Sequence, residues 1–370
     1  MAEPPPVLQA EKLQRSSSKS PSRSPPAKEQ ENFQQTQADI VAHQAETIIE
    51  AEDDSEDAGY ETEAESRAST SISPSVRDYE FEHGRRYHKF REGRYQFPND
   101  ESEQAREDMK HAMVVNLCGG KLHYAPLNYP QNILDIGTGT GIWAIDVGDE
   151  YPGAQVLGID LSPIQPVWVP PNVKFMVDDA EAPWLHPPNA FDFVHIRHMN
   201  SSIKNWPRLL TQAYNHIQPG GWIELQELQF IVKCDDGTMK DDYGVENFLR
   251  FVKEGLAVFG VDLLSVTGNA QRLRDAGFVN VEEKVFKIPL GIWPKNKTMK
   301  LIGLYLRSVI YDGLQGIALG PFTRGLKWTP EAVEVFLVGV RKSLMNASTH
   351  SYLPFHVVYG QKPVESPDDH

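Results

Sequence analysis

Cysteine is nearly absent. Cys118 and Cys234 are the two in 370 residues, far apart and outside any C-x-x-C pair. A disulfide framework and a cysteine-based zinc site are therefore not expected, and a reducing compartment, cytoplasmic or nuclear, fits. Long apolar runs are missing as well; none approaches the ~20 residues that span a bilayer, so no membrane role is expected. The opening MAEPPPVLQAEKLQ lacks a basic stretch followed by an apolar one, so no secretory signal is read. Positive charge is scarce: 36 Lys and Arg stand against 51 Asp and Glu, a net charge of −15. That balance argues against nucleic acid or anionic lipid as the main partner. No His-x-Glu or His-Asp-Ser arrangement stands out, and no metal is expected.

Aromatic residues are few at the start. Residues 1–80 carry only Phe33, Tyr60 and Tyr79, with 17 acidic against 7 basic side chains. Such a stretch cannot bury enough apolar surface to offset the entropy of ordering it. Residues 1–78 are expected to be a disordered, removable tail. Its Ser-Pro steps Ser20-Pro21, Ser24-Pro25 and Ser73-Pro74 are candidate kinase sites, and the tail is a candidate arm for a protein partner.

The character changes at Tyr79. EFEHGRRYHKFREGRYQFPND is dense in aromatics and arginines, with Tyr87, His88, Arg91, Arg94 and Tyr95 clustered. A lid over a cleft and simple packing are both favoured over nucleic-acid binding. Asp100 with Glu103 forms a capping box, and Ala105, Met109, Met113 and Leu117 recur at helical spacing until Gly119-Gly120. Residues 79–130 are expected to form an N-terminal helical lid.

From residue 131 strands alternate with helices. Strands are read at 133–136, 156–159, 173–177, 191–196, 222–228, 279–288 and 355–359. Short apolar strands joined by crossovers mean a mostly parallel, seven-stranded sheet with helices on both faces, an α/β Rossmann-like architecture. The domain is expected over 131–363, with a helical insertion at 291–352 before the last strand, walling the pocket.

The chemistry centres on I133-L134-D135-I136-G137-T138-G139-T140-G141, which follows a strand and opens a helix. Gly137 and Gly139 permit tight backbone geometry and close ligand approach. Asp160 ends the second strand, where a carboxylate can accept both hydroxyls of a ribose. Asp179 follows the third, where it can accept an adenine amine while the Ala180 N–H donates to the ring. The loop is G-x-G-x-G with Asp135 ahead of it; that charge repels a pyrophosphate and suits an ammonium or sulfonium. The pattern points to S-adenosylmethionine rather than a nicotinamide. His195, Arg197 and His198 end the fourth strand, facing an acceptor. His198 could take a proton and Arg197 hold a carboxylate, while His195 reads as buried on a backbone partner. Glu224 and Glu227 lie on opposite faces of the fifth strand, and which of them faces the acceptor is left open.

LDIGTGTGIWAID, GIDLSPIQPVWVPPNVKF, DDAEAPW, FDFVHIRH and AYNHIQPGGWIELQE resemble the fungal LaeA-like, or TAM-domain, methyltransferases. The resemblance covers about 80–363. It implies a class I methyltransferase fold, S-adenosylmethionine as donor and a role in fungal secondary metabolism. It supports Asp135, Gly137, Gly139, Gly141, Asp160 and Asp179 as cofactor contacts, to which Thr138, Leu161 and Ala180 are added as neighbours. Asn205 in IKNW departs from the family's usual Asp; either caps a helix. Two functions follow: O- or N-methylation of a small-molecule metabolite, or a nuclear regulator acting through protein partners.

Overall fold

The computed structural model describes residues 41, 43–47, 49–51, 79–91 and 93–364. The central sheet runs in the order β5-β4-β3-β6-β7-β10-β9. Its strands are β3 (Asn132–Ile136), β4 (Gln155–Asp160), β5 (Val173–Val177), β6 (Phe191–Arg197), β7 (Ile217–Leu228), β9 (Val279–Pro289) and β10 (Ser351–Gln361). The two-residue β8 (Lys233–Cys234) extends the pairing of β10 beyond β7. Neighbours from β5 to β7 are parallel, and β10 is antiparallel to β7 and β9. This is the mostly parallel seven-stranded sheet expected from the strand pattern.

Alternation along β3 shows why the sheet is covered twice. Ile133 packs into one core, with Trp143, Val156, Phe193 and Phe355. Leu134 and Ile136 pack into the other, with Val194, Ile196, Leu210 and Leu225. Each such buried side chain contributes roughly 1.5–3 kcal/mol. Helix α1 (Glu101–Leu117), α2 (Ile142–Glu150), α4 (Gly244–Ala257), α6 (Lys297–Leu319) and α7 (Pro330–Leu344) bury their apolar residues in the first core. The second is covered by α3 (Trp206–His216) and α5 (Asn269–Asp275). Asn205 caps α3 by accepting from the Arg208 N–H at 3.0 Å, so the family departure leaves that cap intact. Among the described residues no helix is long and apolar enough to cross a membrane.

Two expectations need correction. The segment 79–130 is not wholly helical: it opens with a hairpin, β1 (Tyr79–Glu82) and β2 (Arg85–His88). The turn is His83-Gly84, both at positive φ (51° and 76°), the twist that suits a two-residue hairpin loop. The tail expected over 1–78 falls mostly outside the described residues. Where it is described, at 41–51, it packs on the domain. Val41 and Ala45, four residues apart on a helix, and Ile49 beyond it are buried in the first core. Ala51 bridges to Pro294, and the Lys295 N–H donates to the Glu50 carbonyl at 2.8 Å. This segment therefore braces the chain immediately before Asn296, the residue that caps α6.

Candidate active site

The carboxyl ends of β3, β4, β5 and β6 open onto a cavity of about 180 Å³. Gly137, Gly139, Asp160, Leu161, Asp179, Ala180, Arg197 and His198 all line it. A smaller cavity of about 50 Å³ adjoins it at the glycine loop and is lined by Asp135, Thr138, His195, Arg197 and His198, among others. Gly141 lines neither; it caps α2 from a left-handed conformation.

The glycine loop is held from several sides. Gly137 and Gly139 have φ of 71° and 57°, in the left-handed region that favours glycine. A Cβ on Gly137 would strike the Met199 sulfur, whereas a Cβ on Gly139 would meet nothing within 4 Å. Gly139 thus presents bare backbone to the cavity. Asp160 accepts from the Gly139 N–H at 2.9 Å through one oxygen and from the Ser162 N–H at 2.8 Å through the other. Burial raises its pKa. Its first role is therefore to fix the loop. Thr140 donates to Asp108 of α1 at 2.6 Å, tying the loop to the lid side.

Asp135 is buried and bonded on both oxygens, by the Thr138 hydroxyl at 2.6 Å and by His195 Nδ1 at 2.7 Å. His195 is fully buried and stacked on Trp143, with ring centroids 3.6 Å apart. Its partner is thus a carboxylate, not the backbone group expected. Burial pushes its pKa down to about 4 even against the pull of Asp135, and Nε2 has no partner among the described residues.

Asp179 accepts from Arg94 at 3.2 Å, and Arg94 also reaches Glu181 at 3.3 Å. Arg94 belongs to the basic-aromatic segment, whose Tyr95, Phe97, Pro98 and Asn99 also line the cavity. That segment covers the strand ends, and Asn99 donates to Ser162 at 3.2 Å.

On the other side, Arg197 donates to His111 Nδ1 at 2.8 Å. An arginine can only donate, so His111 carries its proton on Nε2 and gives it to Asp146, at 2.8 Å. Burial lowers the Arg197 pKa. His198 has φ 56°, uncommon for a residue with a side chain, and its Nε2 is buried without a partner among the described residues. Burial, then Lys110, Arg197 and Arg106, hold its pKa well below the ordinary histidine value. The two glutamates of β7 are now distinguished. Glu224 is turned away, accepting from Tyr124 and Ala125 N–H groups at 2.8 and 2.7 Å. Glu227 lines the cavity and accepts from the Met199 and Asn200 N–H groups at 2.8 and 3.1 Å. Burial raises their pKa values to about 7 and about 8.

Residues missed from sequence complete the cavity. Glu103, Arg106, Glu107 and Lys110 of α1 line it. They recur at i, i+3, i+4 and i+7, the spacing of one helix face, but written in charges rather than apolar residues. Ala105, placed on the buried face from sequence, is exposed.

A family model described as a methyltransferase domain matches residues 106–283. The methyltransferase pytC of Aspergillus terreus is 44% identical over 303 residues, covering 80% of this chain and 91% of its own. The protein-methionine methyltransferase laeA of Emericella nidulans is 32% identical over 286 residues, covering 76% of each. The chain belongs to the LaeA-like methyltransferase family. Another of its LaeA-like relatives, a secondary metabolism regulator of Cochliobolus heterostrophus, is 35% identical over 297 residues, covering 78% of this chain and 97% of the relative.

Proposed function

We propose that this LaeA-like enzyme moves a methyl group from S-adenosylmethionine to an oxygen or nitrogen of a small-molecule metabolite. The observation that carries this reading is a single cavity joining the glycine loop and the strand-end acids to an apolar chamber under α6. The residues fit the donor. Gly139 leaves open the space a side chain would fill, and Asp160 and Asp179 supply acceptors for a ligand rich in donors. In this reading Asp179 and the Ala180 N–H take the adenine, Asp160 and Leu161 the ribose, and Gly137, Thr138, Gly139 and Gly141 shape the place of the methionine tail. Asp135 acts through Thr138 and His195. The donor supplies a methyl already activated on a sulfonium, so alignment of the acceptor can carry most of the acceleration.

Arg197 and His198 stand where the two halves meet. His198 is uncharged there and offers a lone pair, but the surrounding cations oppose its becoming an imidazolium, which makes it a weak base. Two free thiols, Cys118 and Cys234, fit a cytoplasmic or nuclear setting. The relatives named as regulators support a second reading, a nuclear protein acting through partners. A Gly139→Val chain that binds no donor yet still restores regulation in cells would favour it.

Calorimetric titration tests the first reading. S-adenosylmethionine and S-adenosylhomocysteine should both bind, and NADH should not. Binding of NADH with neither sulfur ligand would overturn it.

A further inference from the structure

The Lys and Arg side chains that border the two cavities are paired with carboxylates, with one exception. Arg94 meets Asp179 and Glu181, Arg106 meets Glu103 and Glu107, and Lys110 meets Glu107 at 2.7 Å. Arg197, at the end of β6, lines both cavities and has no carboxylate within ion-pair distance among the described residues. The carboxylates that act on it from further off are Asp135, Glu107 and Asp146. Each is bonded elsewhere: Asp135 to Thr138 and His195, Glu107 to Arg106 and Lys110, and Asp146 to His111.

Arg197 donates one N–H to His111 Nδ1, and that ring is neutral and tied in turn to Asp146. This fixes the guanidinium without cancelling its charge. A guanidinium carries five N–H donors in a planar fork that matches a carboxylate. Holding it away from water with no countercharge is costly, and burial lowers the Arg197 pKa accordingly. An anion that arrives with a ligand would relieve that cost. The smaller cavity indicates which anion. Gly137, Thr138, Gly139 and Thr140 of the glycine loop line it together with Arg197 and His111. The donor brings one carboxylate, on the α-carbon of its methionine tail, and that tail is the part of the donor assigned to the loop.

We propose that Arg197 is the anchor of the donor's α-carboxylate, held in place beside the glycine loop by His111 and Asp146. This rests on the methyltransferase reading and deepens it. A carboxylate on the acceptor is the competing claimant, since Arg197 also lines the larger cavity. That alternative would leave the donor's own carboxylate without a free cation, because Arg94, Arg106 and Lys110 are all paired.

The test is calorimetric titration of the full chain with three ligands that share the adenosine. They are S-adenosylhomocysteine, its decarboxylated analogue with an aminopropyl tail, and 5′-methylthioadenosine, which lacks both tail charges. The wild type should bind S-adenosylhomocysteine at least about tenfold more tightly than the decarboxylated analogue. Arg197→Met should weaken S-adenosylhomocysteine by roughly 10- to 150-fold and weaken the other two by no more than about twofold. Should that variant fail to bind 5′-methylthioadenosine, the milder Arg197→Lys keeps the charge and loses the fork. It should still weaken S-adenosylhomocysteine by about threefold or more relative to 5′-methylthioadenosine. Equal weakening of all three ligands in Arg197→Lys, or unchanged S-adenosylhomocysteine binding in Arg197→Met, would overturn the proposal. So would a wild type that does not distinguish the decarboxylated analogue. Naphthalene-2-carboxylate added to the chain saturated with S-adenosylhomocysteine tests the competing claimant. If it binds the wild type and is lost in Arg197→Met while S-adenosylhomocysteine is unaffected, the anchor belongs to the acceptor and the proposal fails. Failure of the wild type to bind any of the three adenosine ligands would instead strike the methyltransferase reading beneath it.

Discussion

The two halves of the cavity are built by different means. The half at the strand ends is made of backbone: Gly137 and Gly139 at positive φ, with Asp160 and Asp135 bonded to the loop that carries them. The half under α6 is made of side chains from elements that are distant in sequence, with Glu103 and Leu353 both on its lining. Backbone geometry tolerates few substitutions, whereas an apolar wall accepts many of similar volume. The difference separates what the family must keep from what sets the acceptor. It implies that damage to the first half should abolish donor binding whatever the acceptor, and damage to the second should spare it.

The largest effect should come from Gly139→Val. Its Cβ would enter the cavity rather than the protein, so donor binding should fall below detection in a calorimetric titration. The branched side chain at φ 57° also costs about 1–3 kcal/mol of stability. A folded variant that binds S-adenosylhomocysteine normally would remove the loop from the site.

Next is the brace at 41–51. A chain lacking residues 1–38 should melt like the full one, while a chain lacking 1–78 loses Val41 and Ile49 from the core, at about 1.5–3 kcal/mol each. Melting should drop by several degrees. Identical melting of both truncations would show that 41–51 contributes nothing.

Asp160→Ala tests the donor half more gently. Loss of a charged acceptor costs about 1.5–3 kcal/mol, which weakens S-adenosylmethionine by roughly 10- to 150-fold. The Gly139 and Ser162 N–H groups lose their partner as well, so the melting temperature should fall with the affinity. Unchanged affinity would place the ribose elsewhere.

How far these halves could be read in advance follows from how they are built. Asp135, Gly137, Gly139, Asp160 and Asp179 stand at fixed distances along consecutive strands, so spacing and the family resemblance both point to residues that the structure brings to the cavities. The face of α1 toward the cavity is not legible in the sequence because its Glu103, Arg106, Glu107 and Lys110 carry charge, whereas only apolar residues at helical spacing signal a buried face. The hairpin was missed because His83 takes a left-handed turn position usually filled by Asn, Asp or Gly. The packed turn at Val41, Ala45 and Ile49 was hidden by averaging composition over an acidic stretch. The choice between Glu224 and Glu227 depended on loops from elsewhere in the chain, Tyr124–Ala125 for one and Met199–Asn200 for the other.

The acceptor half should also respond to pH through Glu227. An unfolded glutamate titrates near 4.3, whereas the native Glu227 and Glu224 titrate near 8 and 7. Between those values the native chain holds protons that the unfolded chain has lost. Below about 6.5 the buried His195 and His198 oppose this, because the unfolded chain binds protons that these rings refuse. Above about 6.5 stability should fall as pH rises toward 8, by up to about 1.4 kcal/mol per pH unit for each glutamate still protonated. Urea midpoints compared above about pH 7 should show this slope, and Glu227→Gln should flatten it. A wild-type slope of zero there would mean that neither carboxyl keeps its proton.

The smallest effect is expected at Asp179, and it asks whether the lid belongs to the donor half. The adenine amine is neutral, so loss of one acceptor costs about 0.5–1.5 kcal/mol, or roughly 2- to 13-fold in affinity. Asp179 also receives Arg94 from the covering segment. In Asp179→Ala the arginine keeps Glu181, so the cover should remain seated. Arg94→Ala removes both of its ion pairs and leaves Asp179 with the amine and the longer Arg91 contact at 3.8 Å. If the cover serves the donor, Arg94→Ala should speed S-adenosylhomocysteine release in stopped-flow measurements, while Asp179→Ala lowers equilibrium affinity with a smaller change in rate. The reverse pattern, with slow release in Arg94→Ala and full affinity in Asp179→Ala, would assign Asp179 to holding the cover and leave the adenine amine to another acceptor.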